Sequence, residues 1–65
     1  MKEYTNSQMV ALIDEYIHSE RDRAILRRRL IDGIHYEPLA EEFDLSVKQI
    51  GNIISEGENI LFKHL

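Results

Sequence analysis

Apolar residues recur at three- and four-residue spacing in successive segments of the chain, which is the pattern of amphipathic helices. Residues 6–18 form the first predicted helix, and its apolar stripe consists of Met9, Leu12, Ile13, Tyr16 and Ile17. The second helix follows Ser19 and buries Ile25, Leu26 and Leu30. Gly33 marks the end of this helix, because glycine readily adopts the left-handed conformation found just beyond helix C-termini.

Residues that favour the start of a helix occur at intervals along the same pattern. Thr5 with Gln8, and Ser46 with Gln49, have the spacing of a capping box, in which each side chain bonds the other residue's backbone N–H. Ser19 is a single N-cap, followed by the acidic Glu20 and Asp22 that a helix N-terminus favours. These signals predict where three of the helices begin.

A short third helix and an abrupt turn are predicted next. His35 is its N-cap and Pro38 lies in its first turn, where the missing proline N–H breaks no intrahelical bond. This helix covers residues 36–43, and Asp44 tolerates the left-handed conformation that a sharp turn needs. Two helices separated by only three residues are typical of a helix-turn-helix unit, here about residues 36–55. We therefore expect one all-α domain over residues 1–65, a three-helix bundle containing a helix-turn-helix, with an added N-terminal helix.

The helix-turn-helix geometry assigns inward and outward positions. We expect the inward positions to be Leu39, Phe43, Leu45, Ile50 and Ile53, with Ala40 where the two helices approach most closely. The outward positions at the start of the fourth helix are Val47, Lys48, Gly51, Asn52 and Ser55. In a helix-turn-helix protein such positions face the major groove of DNA, so we expect these five residues to contact bases.

Residues 19–65 resemble a known family. The segment begins SERDRAILRRRLIDGIHYEPLAEEFDLSVKQI and continues to Leu65. It resembles, in order along the chain, the pattern of region 4 of sigma-70-type factors and of similar small phage-type regulators. The resemblance implies a transcription regulator with double-stranded DNA as its partner and the helix after Ser46 as recognition helix. It places base-reading side chains at Lys48, Gly51 and Asn52, and backbone contacts near His35, Tyr36 and Ser46.

The sequence also departs from that family pattern. Gly51 stands where the family commonly has a long basic residue, so direct readout by a side chain is lost there. His35 replaces a Thr or Ser cap, Asp44 a glycine, and Arg28 an expected leucine.

The charge of the chain bears on DNA binding. The net charge is -4, which repels nucleic acid, whereas contacts to phosphates normally supply most non-specific affinity. The arginine cluster 21, 23, 27, 28 and 29 is either a source of phosphate contacts or a solvated face with Arg29 paired to Glu41 or Glu42. Our expected backbone-contact set is Arg27, Arg28, His35, Tyr36, Ser46 and Gln49.

Other chemistries lack a motif. Cysteine is absent, the three histidines lie on separate segments, and no nucleophile motif or phosphate-binding glycine loop occurs. We therefore expect no enzyme activity, metal, cofactor or small-molecule substrate. No apolar stretch approaches the roughly 20 residues of a membrane span, and no apolar leader begins the chain, so we expect a cytoplasmic protein without a membrane partner.

Two hypotheses remain open. In the first, the chain is a DNA-binding regulator, dimeric because paired helix-turn-helix units multiply the base contacts. In the second, the same fold binds RNA polymerase, a sigma factor or another regulator, and its acidic face steers it to a basic partner.

Two structural alternatives also stay open. Gly57 either ends or bends the fourth helix, and the last apolar residues Ile60, Leu61, Phe62 and Leu65 either complete the core or, like the first helix, form a dimer surface.

Overall fold

Helices and short connections make up the computed structural model, which describes residues 4–64. The helices are α1 Asn6–Tyr16, α2 Glu20–Leu30, α3 Tyr36–Phe43 and α4 Val47–Phe62. Helix α4 packs against α2 and α3, and α1 lies against α2 and α4. The described chain is thus a small all-α four-helix domain, as predicted, with α3 and α4 forming the helix-turn-helix unit.

The predicted caps are confirmed where helices begin. Thr5 N–H donates to Gln8 Oε1 at 2.8 Å, and Gln8 N–H donates to Thr5 Oγ1 at 3.2 Å. Ser46 and Gln49 form the equivalent box at 2.9 and 3.0 Å. Ser19 Oγ accepts from Asp22 N–H at 3.3 Å. Local hydrogen bonding therefore fixes the first turns of α1, α2 and α4.

The predicted end of α1 was wrong by two residues. The helix ends at Tyr16 instead of His18, and Ile17 is extended, with φ -107° and ψ 120°. Arg23 reaches back from α2 and donates to the carbonyl oxygens of Ile17 and, at 2.6 Å, of Asp14. These bonds satisfy C-terminal carbonyls that a longer helix would have used internally, so α1 stops early while Ile17 stays buried.

The core contains most of the predicted inward positions. Leu39, Ala40 and Ile50 are buried, and Phe43, Leu45 and Ile53 are partly buried against them. Ile54 is fully buried in α4 although the sequence pattern had placed its neighbour Ile53 inward instead. The buried face of α4 follows a spacing of four, three and four residues, and it consists of Ile50, Ile54, Gly57 and Leu61. Ile53 lies about 100° around the helix from Ile54 and so borders this face.

Gly57 neither ends nor interrupts α4, which continues to Phe62. A Cβ atom on Gly57 would lie 2.5 Å from Leu26 Cδ1 and 2.7 Å from Leu26 Cδ2. Leu26 is fully buried, so it has no solvent-exposed space into which to move. Gly57 is therefore the residue that lets α4 approach α2 closely.

The C-terminal apolar residues divide between the two alternatives. Leu61 completes the core, whereas Ile60 is 38% and Phe62 59% exposed; Leu65 lies outside the described residues. His64 stacks on Tyr16 with ring centroids 3.7 Å apart, which ties the end of α4 to the end of α1.

Two glycine substitutions on α4 separate packing from helix propensity. Gly57→Ala forces its methyl group against Leu26, and overpacking of this kind costs about 1–3 kcal/mol of unfolding free energy. Gly51→Ala is the matched control, because its Cβ meets Tyr36 Cε2 at an ordinary 3.6 Å. It should stabilise the fold by about 0.5–1 kcal/mol through helix propensity. Urea denaturation measures both, and a Gly57→Ala chain as stable as the Gly51→Ala chain would contradict the close approach.

Candidate nucleic-acid interface

The turn between α3 and α4 fixes the exposed end of α4. Asp44 adopts the left-handed conformation, with φ 55° and ψ 46°, as predicted. Its N–H points to the carbonyls of Ala40 and Glu41, and Leu45 N–H donates to Ala40 O at 2.9 Å. The chain turns at these residues, and Ser46 then caps α4. The start of α4 is thus held by backbone and capping bonds on one side and by Ile50 in the core on the other.

Four of the five predicted base-contact positions form an exposed face at the start of α4. Val47 is 46% exposed although it is apolar, and Lys48, Asn52 and Ser55 are also exposed. In this part of the described chain the side-chain hydrogen bonds are those of the capping box, so the amide of Asn52 and the ammonium of Lys48 are available to a ligand.

Gly51 has a different environment from the other four. It is partly buried, and its nearest neighbour is the ring of Tyr36, which a Cβ atom would meet at 3.6 Å. Tyr36 belongs to the first turn of α3, so this contact joins α3 to α4. Because 3.6 Å is an ordinary van der Waals distance, packing within the domain does not require a glycine at position 51.

The predicted backbone-contact residues of the helix-turn-helix differ in availability. Ser46 Oγ and Gln49 Oε1 already accept capping bonds, which leaves the Gln49 side-chain NH₂ as a donor. His35 is exposed and its side chain makes no capping bond to α3. Tyr36 is partly buried between Gly51 and Arg29, whose guanidinium carbon lies 5.2 Å from the ring centroid.

Arg27 and Arg28 are paired with acidic side chains in the free protein. Arg28 Nη2 lies 2.9 Å from Glu42 Oε1, and Arg28 Nη1 lies 3.2 Å from Asp32 Oδ2. The hydrogen bond to Glu42 is the main cause that raises the pKa of Arg28 above its ordinary value, and the hydrogen bond to Asp32 is the second. Arg27 Nη2 lies 3.6 Å from Asp14 Oδ1. Glu42, an acidic residue of α3, thus pairs with Arg28. The interpretation of the arginines as a solvated face had expected Arg29 to pair with Glu41 or Glu42.

The remaining arginines have separate roles in the fold. Arg21 pairs with the neighbouring Asp22 at 3.2 Å, and Arg23 caps the end of α1. Arg29 donates from Nη1 to Ile34 O at 3.3 Å and lies over Tyr36. The sequence could have predicted that Arg29 packs at the edge of the core. It follows Ile25 by four residues and Leu26 by three, so it borders the buried face of α2. The cluster is therefore not one basic patch.

The electrostatics of the exposed face of α4 change along the helix. Lys48 is its basic residue near the N-terminus, whereas Glu56 and Glu58 follow two to three turns later. A ligand with negative charge would thus meet the N-terminal half of α4 more favourably than its C-terminal half.

Within residues 4–64, no group of three acidic or histidine side chains is arranged to hold a metal ion, and no helix is long and apolar enough to cross a membrane.

Comparisons with protein-family models, curated proteins and solved structures find no significant match for this chain. The likeness to sigma region 4 accordingly stays a prediction that rests on the residues quoted for it.

Removing the α4 cap tests how the exposed face is held. Ser46→Ala deletes the hydroxyl that accepts from Gln49 N–H, and loss of such a cap typically costs about 1 kcal/mol of unfolding free energy. Ser55→Ala, an exposed serine on the same helix, is the control and should change stability by less than about 0.5 kcal/mol. Thermal and urea denaturation followed by circular dichroism give both values. Equal stability of the two variants would show that the capping box does not hold this end of α4.

Proposed function

We propose that the chain is a DNA-binding transcription regulator whose α4 lies in the major groove of double-stranded DNA. The observation that carries the proposal is the N-terminal half of α4. Its inner side is anchored by Ile50 and Ile54, and its outer side presents Lys48 and Asn52, exposed and without partners in the described chain. A recognition helix needs this combination, because base contacts require polar side chains held at fixed positions on a rigid helix.

The chemistry of the exposed side chains suits base edges. Asn52 carries a donor and an acceptor, which match the N6 amino group and N7 of adenine, and Lys48 donates to acceptors such as guanine O6 and N7. Val47 is apolar and exposed, and suits the methyl group of thymine. Ser55, one turn beyond Gly51, donates or accepts according to the base it meets. The face therefore offers sequence discrimination with a single formal charge.

The proposal is tested first by selection from a pool of randomised duplexes at about 50 mM salt, where phosphate contacts are strong. Light scattering on the chain with the selected duplex gives the mass of the complex, and so whether a homodimer binds. Enrichment of one sequence motif is the expected result. If the chain retains no duplex under these conditions, the proposal that it binds DNA is wrong.

Substitution of Asn52 tests the recognition face itself. Asn52→Ala should weaken the selected site by about 1–3 kcal/mol while leaving binding to scrambled DNA nearly unchanged, because a base contact carries sequence information. Asn59→Ala is a matched control on the same side of α4, since Asn59 is exposed and lies seven residues on, or roughly 10 Å along the axis. Fluorescence anisotropy with both duplexes measures the affinities of the wild-type chain and of the two variants. Equal losses for Asn52→Ala and Asn59→Ala would contradict a recognition face at the start of α4.

A second candidate function rests on the other end of α4. Ile60 and Phe62 are exposed apolar residues, and Glu56 is exposed nearby, which is a composition suited to a protein partner with an apolar and basic surface. We propose RNA polymerase, a sigma factor or another regulator as that partner. Phe62→Ser should abolish its capture from a bacterial lysate while leaving selected-duplex affinity unchanged. Capture of a polymerase subunit or regulator that survives Phe62→Ser would exclude this surface.

A further inference from the structure

We propose that Arg29 forms, with Tyr36 and His35, a binding site for a DNA backbone phosphate beside the recognition helix. The inference rests on the proposed DNA-binding function and deepens it, because it assigns a phosphate contact to the one arginine of the cluster that pairs with the α3 ring, which the expected backbone-contact set did not include. Arg29, His35, Tyr36, Glu37 and Val47 line one open concave surface where α2, α3 and α4 meet.

The guanidinium of Arg29 is positioned but not neutralised. One of its N–H groups donates to Ile34 O at 3.3 Å, and the Tyr36 ring lies 5.2 Å below its central carbon. Both contacts hold the planar group in place without cancelling its charge. No carboxylate of residues 4–64 lies within ion-pair distance of it, and its remaining N–H donors suit phosphate oxygens.

The location of the concave surface suits a phosphate that flanks a base-reading helix. Val47 belongs to both the concave surface and the exposed face of α4, so the two adjoin. The first helix of a helix-turn-helix crosses the DNA backbone while the second enters the groove. His35 and Tyr36, at the start of α3, line the concave surface beside α4, and Arg29 reaches the same surface from α2.

Arg27 and Arg28 are weaker candidates on the same criteria. Both line a different concave surface, with Asp32 and Glu42, that shares no residue with that of Arg29. Arg28 would have to give up Glu42 and Asp32, and Arg27 would have to give up Asp14, before either bound phosphate. Arg29 has no such exchange to make.

Glu37 opposes the proposed contact and so provides an internal check. It is exposed and lines the same concave surface, where its carboxylate repels a phosphate. Glu37→Gln should therefore strengthen binding of the selected duplex at 50 mM salt, whereas Glu41→Gln, an exposed acidic residue of α3 outside this surface, should change it less.

The salt dependence of binding separates Arg29 from its neighbours. Each phosphate contact contributes about 0.9 to the slope of log affinity against log salt concentration, because a bound cation releases a counterion. Arg29→Gln should reduce the slope by about one unit, and Arg29→Lys should keep it, since the charge remains. Arg28→Gln, with the same change in net charge, should leave the slope unchanged. The measurement is anisotropy of the selected duplex from 50 to 200 mM salt, with circular dichroism to establish that each variant is folded.

The outcomes distinguish this inference from the function on which it rests. A wild-type chain that binds no duplex overturns both. A wild-type slope in Arg29→Gln, with sequence-specific binding intact, overturns the Arg29 site alone. So does a slope reduced by Arg28→Gln and not by Arg29→Gln. The slope is insensitive to a loss of folded fraction, so a purely structural role for Arg29 would leave it unchanged.

Discussion

The close contact between Gly57 of α4 and Leu26 of α2 is the constraint on which the rest of the domain depends. Because Gly57 has no side chain, α4 lies against α2 at a distance that any Cβ would prevent. Ile50, Ile54 and Leu61 then point into the same core. A helix whose inner face is fixed in this way has its outer face fixed too. The exposure of Lys48 and Asn52 is thus a consequence of packing roughly one and a half to two and a half turns away from them. A small domain with a thin core has few other means of setting the rotation of α4.

The arginines of α2 show how an acidic domain distributes its positive charge. Arg23 closes the end of α1, Arg27 pairs with α1 through Asp14, and Arg28 pairs with α3 through Glu42. All three tie α2 to its neighbours, and the exposed ion pairs of Arg27 and Arg28 contribute little stability individually. Each of these two guanidinium groups must leave its carboxylate before it can bind a phosphate. The cluster that looks basic in the sequence therefore leaves only Arg29 directed at the proposed interface.

Local signals in the sequence predicted much of the fold. The capping boxes, the left-handed Asp44 and the bounds of α3 each depend on residues close in sequence, and each was confirmed. The end of α1, the burial of Ile54 instead of Ile53 and the role of Gly57 depend on contacts between helices, which periodicity does not specify. Candidate-site residues follow the same division. The exposed positions of α4 follow from helical geometry, whereas the partner of each arginine depends on how α1 and α3 are placed against α2.

The distribution of charge also bears on how such a domain would achieve affinity. Proteins with six to ten phosphate contacts lose roughly three to five orders of magnitude in affinity between 50 and 200 mM salt. On the proposed function, a domain with Arg29 and Lys48 as its available cations at this surface would bind DNA with a shallow salt dependence and would bind random DNA weakly. Specific binding would then have to come from base contacts, which a single short helix limits to a few base pairs. On the proposed function, pairing two such domains on one DNA site would multiply both the phosphate contacts and the base contacts. If the proposed function holds, a low positive charge would favour an assembled regulator over a single domain, because a single domain would gain little affinity from the phosphates while it searched for its site.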